Sequence, residues 1–209
     1  MSKYISRRRF HSKTIRAICA AALLSAATAI PVFAADKAQG EAFTTALIAE
    51  LSDVAQNPNL SSAARDGAYR EVLQSKLATD SIGKFLFKGA PNEMATATQR
   101  AEYDDLFPSY IAATFAAQIG ELAERQINVK ASRLRGDDEA IVRSHLVDKN
   151  GIKKASIDWR LRWIDENPYL LDVLVERTSP LVSKRQEFSS LAKRDGVEVL
   201  LAHMRTVAK

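Results

Sequence analysis

Cysteine is almost missing from this chain of 209 residues; the single one is Cys19. Downstream of it the chain can form no disulfide, carry no thiol nucleophile and offer no cysteine-ligated metal. Glycine and proline are also scarce, at 8 and 6 residues, which excludes a collagen-like or low-complexity chain. Histidine occurs three times, as His11, His145 and His203, with no HxxH or HExxH spacing, so the usual histidine metal sites are excluded. There is no glycine-rich phosphate loop and no GxSxG element, so neither a nucleotide fold nor a nucleophile-elbow hydrolase is expected.

Excess positive charge is lacking too, once its position is taken into account. The chain carries 30 basic and 25 acidic residues, a formal +5. Lys3, Arg7, Arg8, Arg9, Lys13 and Arg16 all precede the first acid, Asp36. The remainder holds 24 basic against 25 acidic residues, close to neutral, and gives no support for a nucleic-acid surface.

What is present begins with a leader over residues 1–34. Ser6-Arg7-Arg8-Arg9-Phe10 precedes an apolar run from Ala17 to Ile30 that is too short to span a bilayer. Pro31-Val32-Phe33-Ala34 offers small residues for cleavage after Ala34, so the chain reads as exported. The arginine pair fits the twin-arginine route, and the ordinary Sec route fits as well. Cys19 lies inside the apolar run and is no lipid acceptor.

From residue 35 a single domain is expected. Lys37 to Gln56 reads as a helix with Ala42, Phe43, Ala46, Leu47, Leu51 and Val54 at three- and four-residue spacing. Ser61 or Ser62 caps a second helix to Lys76, with Ala68, Val72 and Leu77 on one side. Thr79 caps a third from Asp80 to Phe87, stopped by Gly89-Ala90-Pro91. Thr96 or Thr98 opens the longest, to about Arg125, striped by Tyr103, Phe107, Ile111, Phe115, Ile119 and Leu122 and interrupted by Pro108, where a kink is expected.

The period then changes from helical to alternating. Gln126–Leu134 and Glu139–Asp148 read as strands, the second with Ala140, Val142, Ser144 and Leu146 on its less polar face. Lys149-Asn150-Gly151 signals a hairpin. Ile157, Trp159, Leu161 and Trp163 alternate with Asp158, Arg160 and Arg162, one face for burial and one for water. Asp165-Glu166-Asn167-Pro168 turns the chain into a fourth strand, Tyr169–Arg177, with Tyr169, Leu171, Val173 and Val175 on one face. Ser179-Pro180 starts a helix ending near Gly196, and a last one runs from Val197 to about Val207. The expected fold is α+β: four helices, a four-stranded twisted antiparallel sheet, then two helices, with the helices on one face of the sheet.

Paired carboxylates are the one catalytic hint. Asp104-Asp105, Asp137-Asp138-Glu139, Asp158 and Asp172 fall mostly on solvated faces, and ion pairs of Asp158 and Asp172 with Arg160 and Arg162 explain the last two. The basic pairs Arg133/Arg135, Lys153/Lys154, Lys184/Arg185 and Lys193/Arg194 are matched by nearby acids, and read either as solvated faces or as docking patches for anionic head groups. The large apolar side chains remain, and periodicity does not separate a filled core from an apolar cavity.

A set of ordered motifs completes the reading: Gln99-Arg100-Ala101-Glu102-Tyr103 with Phe107 and Tyr110; Ile157-Asp158-Trp159-Arg160-Leu161; Tyr169-Leu170-Leu171-Asp172-Val173 leading to Glu176-Arg177-Thr178-Ser179-Pro180; and Arg185-Gln186-Glu187-Phe188-Ser189-Ser190-Leu191 with Gly196 and Leu200-Leu201. Together they resemble the toluene-tolerance/MlaC family of periplasmic phospholipid-binding proteins. Two departures stand out. The family usually has glycine where Arg177 stands, and a Leu-Gly-x-Tyr-Trp stretch where this chain reads Phe85-Leu86-Phe87-Lys88-Gly89-Ala90. The resemblance is therefore to a divergent branch of the family, and a related branch is associated with hopanoid transport.

The resemblance implies an NTF2-reminiscent fold with an apolar cavity between helices and sheet. It implies a non-catalytic, monomeric periplasmic carrier without cofactor or metal, bound by phospholipid or another membrane lipid. Its partners would be an Mla-type inner-membrane ABC transporter complex and an outer-membrane lipoprotein complex, with no nucleic acid. Hiding two ~16-carbon chains from water involves on the order of 25 kcal/mol, which calls for a deep site rather than a surface groove. The expected lining is Tyr103, Phe107, Ile111, Phe115, Val142, Leu146, Trp159, Leu161, Trp163, Val173 and Val175, if the helical and strand stripes face one another. A hopanoid carrier, a cavity enzyme using a buried Asp or His, and an interaction module with a filled core are the competing readings.

Overall fold

The structure, a computed structural model, describes residues 35–209. The expected leader and its cleavage site lie outside the described residues. Five helices come first: α1 (Lys37–Gln56), α2 (Ser62–Lys76), α3 (Thr79–Phe87), α4 (Ala90–Met94) and α5 (Ala97–Ala123). Four strands follow, β1 (Gln126–Arg135), β2 (Glu139–Val147), β3 (Lys153–Ile164) and β4 (Asn167–Val175), then α6 (Pro180–Asp195) and α7 (Val197–Val207). The strands form one antiparallel sheet in chain order.

Helix starts are written in local side chains. Asp36 accepts from the Gln39 amide at 2.7 Å, and Ser61 accepts from Ala64 at 3.2 Å. Thr96 and Gln99 form a reciprocal capping box at 3.2 and 3.1 Å. Ser179 accepts from Val182 at 3.2 Å, with Pro180 behind it. Thr79 departs from expectation: it is the first helical residue of α3, and Ala78 stands at the cap without a side-chain bond. The Gly89-Ala90-Pro91 stop also differs. Gly89 turns the chain at φ 92° and the next residues form α4, since Pro91 is at home in a first turn. Pro108 lies inside a continuous α5.

Three corrections concern which residues turn inward. On α2 the buried residues are Tyr69 and Leu73, because the Tyr69 ring packs on Gly120 of α5, where an added Cβ would stand 3.2 Å away. On β4 the stripe Tyr169, Leu171, Val173, Val175 is broken. The register steps from Arg160↔Asp172 to Leu161↔Leu170, so Leu171 is an extra bulged residue and Leu170 takes the inward place opposite Leu161. On the outer face, Asp158 pairs with Arg143 and not with Arg160, while Arg160 and Arg162 converge on Glu139, which is buried.

The two-residue turn Asp165-Glu166 has φ of 46° and 69°, as a right-twisted hairpin requires. Glu176-Arg177 repeats that conformation at 48° and 67°, closing the bridge from Val175 to Thr178. Arg177 therefore occupies a backbone conformation that favours glycine.

Candidate functional site

The apolar interior is one continuous cluster. Tyr103, Phe107, Ile111 and Phe115 enter it from α5, and Val142, Leu146, Trp159, Leu161, Trp163 and Val173 from the sheet. Val175 is half-buried and outside the cluster. α5 does not lie directly over the whole sheet face. α1 covers part of it, where a Cβ on Gly40 would meet Trp163 Cη2 at 3.1 Å, Leu161 Cδ1 at 3.4 Å and Val142 Cγ2 at 3.6 Å. The space over these three residues is thus taken by α1 and not left open, because a glycine lets the helix backbone rest on the ring.

Both indoles are anchored. Trp159 Nε1 donates to Ser144 Oγ at 2.9 Å inside the core. Trp163 Nε1 donates to Gln39 Oε1 at 2.6 Å, and Gln39 Nε2 donates to the Glu166 carbonyl at 3.1 Å, tying α1 to the β3–β4 turn. Ser132 Oγ donates to Glu41 at 2.5 Å and ties the same helix to β1.

An aromatic ladder runs through the helical half. Phe87 stacks on Tyr103 at 4.0 Å between centroids, Tyr103 lies 5.1 Å from Phe107, Phe107 lies 6.4 Å from Tyr110, and Tyr110 lies 5.6 Å from Phe188. Tyr103 donates its hydroxyl to the Gly83 carbonyl at 2.9 Å, and burial pushes that hydroxyl's pKa far up, with the Asp104 carboxylate adding to the shift. The Tyr110 hydroxyl is buried with no hydrogen-bond partner.

At its outer end the ladder meets a cleft of about 550 Å³ between α3, α4 and α5, within the range of ligand pockets. Tyr103 and Phe107 are the two expected lining residues that reach it. Phe87, Gly83 and Pro108 complete an apolar floor, and Lys84, Lys88, Arg100, Asp80 and Asp104 form the rim with Thr79 and Asn92. Sequence reasoning missed this rim because its charges come from separate helices and looked like ordinary solvated positions; the one available signal was the unusual Lys88-Gly89-Ala90-Pro91 break.

The candidate acid-base residues have structural occupations. Asp158 accepts two bonds from Arg143, both 2.7 Å, and the guanidinium holds its carboxyl below the usual range. Burial pushes the Asp172 carboxyl up, yet it accepts from Ser179 Oγ at 2.5 Å and from the Val173 amide at 2.9 Å. It thereby holds the cap of α6 against β4. His145 is half-exposed on β2, its pKa lowered by partial desolvation and then by Lys153, Lys130 and Arg143. His203 faces the edge of Tyr110 and Glu187 on the far side of the bundle. Among the described residues no three of His, Asp and Glu gather as a metal site, and no helix is long and apolar enough to cross a membrane.

No curated protein sequence matches this chain. Among solved structures, the phospholipid-binding protein from Ralstonia solanacearum, in complex with a phospholipid, superposes with a TM-score of 0.63. The two share 16% identity over 80% of this chain and 96% of that one, a likeness of fold. The helices packed with an open four-stranded antiparallel sheet make the α+β fold expected from the sequence and match that neighbour. Residues 41–206 match the family model described as MlaC protein, and the chain belongs to the MlaC family.

Proposed function

We propose that this protein is a periplasmic carrier that buries the acyl chains of a phospholipid between its helices and sheet and passes the lipid between membrane complexes. The observation that carries this reading is the MlaC family match combined with an interior of aromatic and aliphatic side chains that meets a cleft at Tyr103 and Phe107. The phospholipid in the Ralstonia solanacearum protein of the same fold supports it. The leader over residues 1–34 would deliver the chain, and the Mla-type ABC transporter and outer-membrane lipoprotein complexes would be its partners.

Entry of acyl chains requires helices to part from what they cover. At Gly40 and Gly83 the contacts are backbone against the rings of Trp163 and Phe107, with no interlocking side chain. Replacing such contacts by acyl contacts exchanges one apolar neighbour for another, at little cost per unit area. The expected lining of eleven residues is retained in this proposal, with Tyr103 and Phe107 at the entrance.

Solvent extraction of protein purified from the periplasm, followed by mass spectrometry, tests the reading. Stoichiometric phospholipid is expected. Protein that carries no lipid and takes none from vesicles defeats it, and recovered hopanoid would shift the cargo to that class. The enzyme reading retains one favourable observation, the raised Asp172 carboxyl beside a small pocket of about 100 Å³.

A further inference from the structure

The rim of the α3–α4–α5 cleft carries charges of both signs that are not spent on each other. Asp80 and Lys84 stand one turn apart on α3, and Arg100 and Asp104 one turn apart on α5. Opposite charges at that spacing are neighbours on the helix surface and are within reach of each other. Among the described residues, the ion pairs include none of Asp80, Lys84, Lys88, Arg100 or Asp104. Arg100 is instead fixed on Asn92, donating Nε to Oδ1 at 3.2 Å and Nη2 to the carbonyl at 2.7 Å.

The backbone adds an acceptor. Pro108 has no N–H, so the Asp104 carbonyl loses its helical donor, and both residues line the cleft. The floor beneath is hydrocarbon, with the Tyr103 ring locked by its bond to Gly83 and stacked on Phe87. Cations, carboxylates and a spare carbonyl above an apolar floor complement a zwitterionic amphiphile.

We propose that this cleft seats the headgroup of a phospholipid ending in a primary amine. The phosphodiester lies toward Lys84, Lys88 and Arg100, and the ammonium toward the Asp104 carboxylate and its free carbonyl. A quaternary ammonium has no N–H for these acceptors, and a glycerol headgroup brings no positive charge to Asp80 and Asp104. The inference rests on the carrier reading and adds the class of lipid selected.

The full protein, purified from the periplasm, is incubated with excess vesicles of equimolar phosphatidylethanolamine, phosphatidylcholine and phosphatidylglycerol with identical acyl chains, and bound lipid is read by native mass spectrometry. The ethanolamine lipid should exceed each of the others by about fivefold, the scale of one charge-assisted hydrogen bond at a half-open site. Asp104→Asn should bring that ratio near one by lowering uptake of the ethanolamine lipid while uptake of the other two stays close to that of the parent. Lys84→Gln with Lys88→Gln should lower uptake of all three lipids. Equal uptake by the unaltered protein, a preference for another lipid, a ratio that survives Asp104→Asn, or uptake insensitive to the lysine pair each overturns the inference while the carrier reading stands. Uptake of no lipid at all overturns both. The rim residues named are solvent-exposed, so the variants should fold.

Discussion

Gly40 and Trp163 meet with no side chain between them. A methyl group added to Gly40 would stand 3.1 Å from Trp163 Cη2, closer than ordinary van der Waals contact. The approach is what lets Gln39, one residue earlier, receive the indole N–H. α1 is therefore a cover for the tryptophan face, resting on the ring at Gly40 and anchored on either side by Gln39 and by the buried Leu47 and Leu51.

Gly40→Leu should force α1 away from the sheet and lower stability by about 1–3 kcal/mol, the usual range for overpacking. Gly67 is the matched control, since nothing lies within 4 Å of a Cβ placed there. Gly67→Ala in the interior of α2 should raise stability by about 0.5–1 kcal/mol. Urea denaturation of the two variants checks the pair; similar shifts would mean that the close approach is not what makes Gly40 necessary.

Ser144 is the acceptor for a wholly buried indole. Ser144→Ala leaves Trp159 Nε1 unpartnered in an apolar interior and should cost about 1–3 kcal/mol. Ser144→Thr keeps the oxygen and should recover part of the loss. Thermal unfolding of both variants, with tryptophan fluorescence as probe, gives the comparison, and an alanine variant as stable as the parent would refute the role.

Arg177 stands at φ 67°, where a side chain is strained. Arg177→Gly should stabilise the protein by about 0.5–1 kcal/mol, the relief of a left-handed conformation less the added freedom of the unfolded chain. A glycine variant that unfolds earlier would show that the arginine's charge beside Asp158 outweighs its backbone cost.

Asp158 and Asp172 respond to acid in opposite senses. The folded state holds the Asp158 carboxyl below its ordinary value, first through the Arg143 hydrogen bonds. Its contribution is complete above about pH 4 and is lost as pH falls through the lowered folded value. The folded state raises Asp172, chiefly by burial, so its contribution is present at low pH and is lost as pH rises from about 4 through the raised value. Asp158→Asn should accordingly weaken the protein near neutrality and converge with the parent in strong acid. Asp172→Asn should remove the falling segment above pH 4. Stability measured across pH 2 to 7 resolves the two, and parallel curves for parent and both variants would contradict the assignment.

How much was legible follows from the range of each cause. Ser61, Thr96 and Ser179 each accept from an amide three residues on, and the alternation through Trp159 and Trp163 is a property of one strand. Such causes are legible in the chain, although the sequence reading stops short of the capping box of Thr96 with Gln99 and leaves open the choice between Ser61 and Ser62, and between Thr96 and Thr98. The family resemblance was legible for the same reason, as motifs written along the chain in order. The Leu171 bulge was not, because it is settled by pairing with β3 and by the Ala78 amide donating to the Leu170 carbonyl at 2.8 Å.

By itself, then, the sequence determined where most of the long helices begin, which face of β3 is apolar, and that nothing after Cys19 can be held by disulfides. Only the tertiary structure decided that α1 lies on Trp163, that Glu139 rather than Asp158 receives Arg160 and Arg162, and that the charges of α3 and α5 gather around one cleft. Local hydrogen bonds and periodicity act over a few residues, whereas the meeting of Gly40 with a ring 123 positions away is fixed by how whole elements pack.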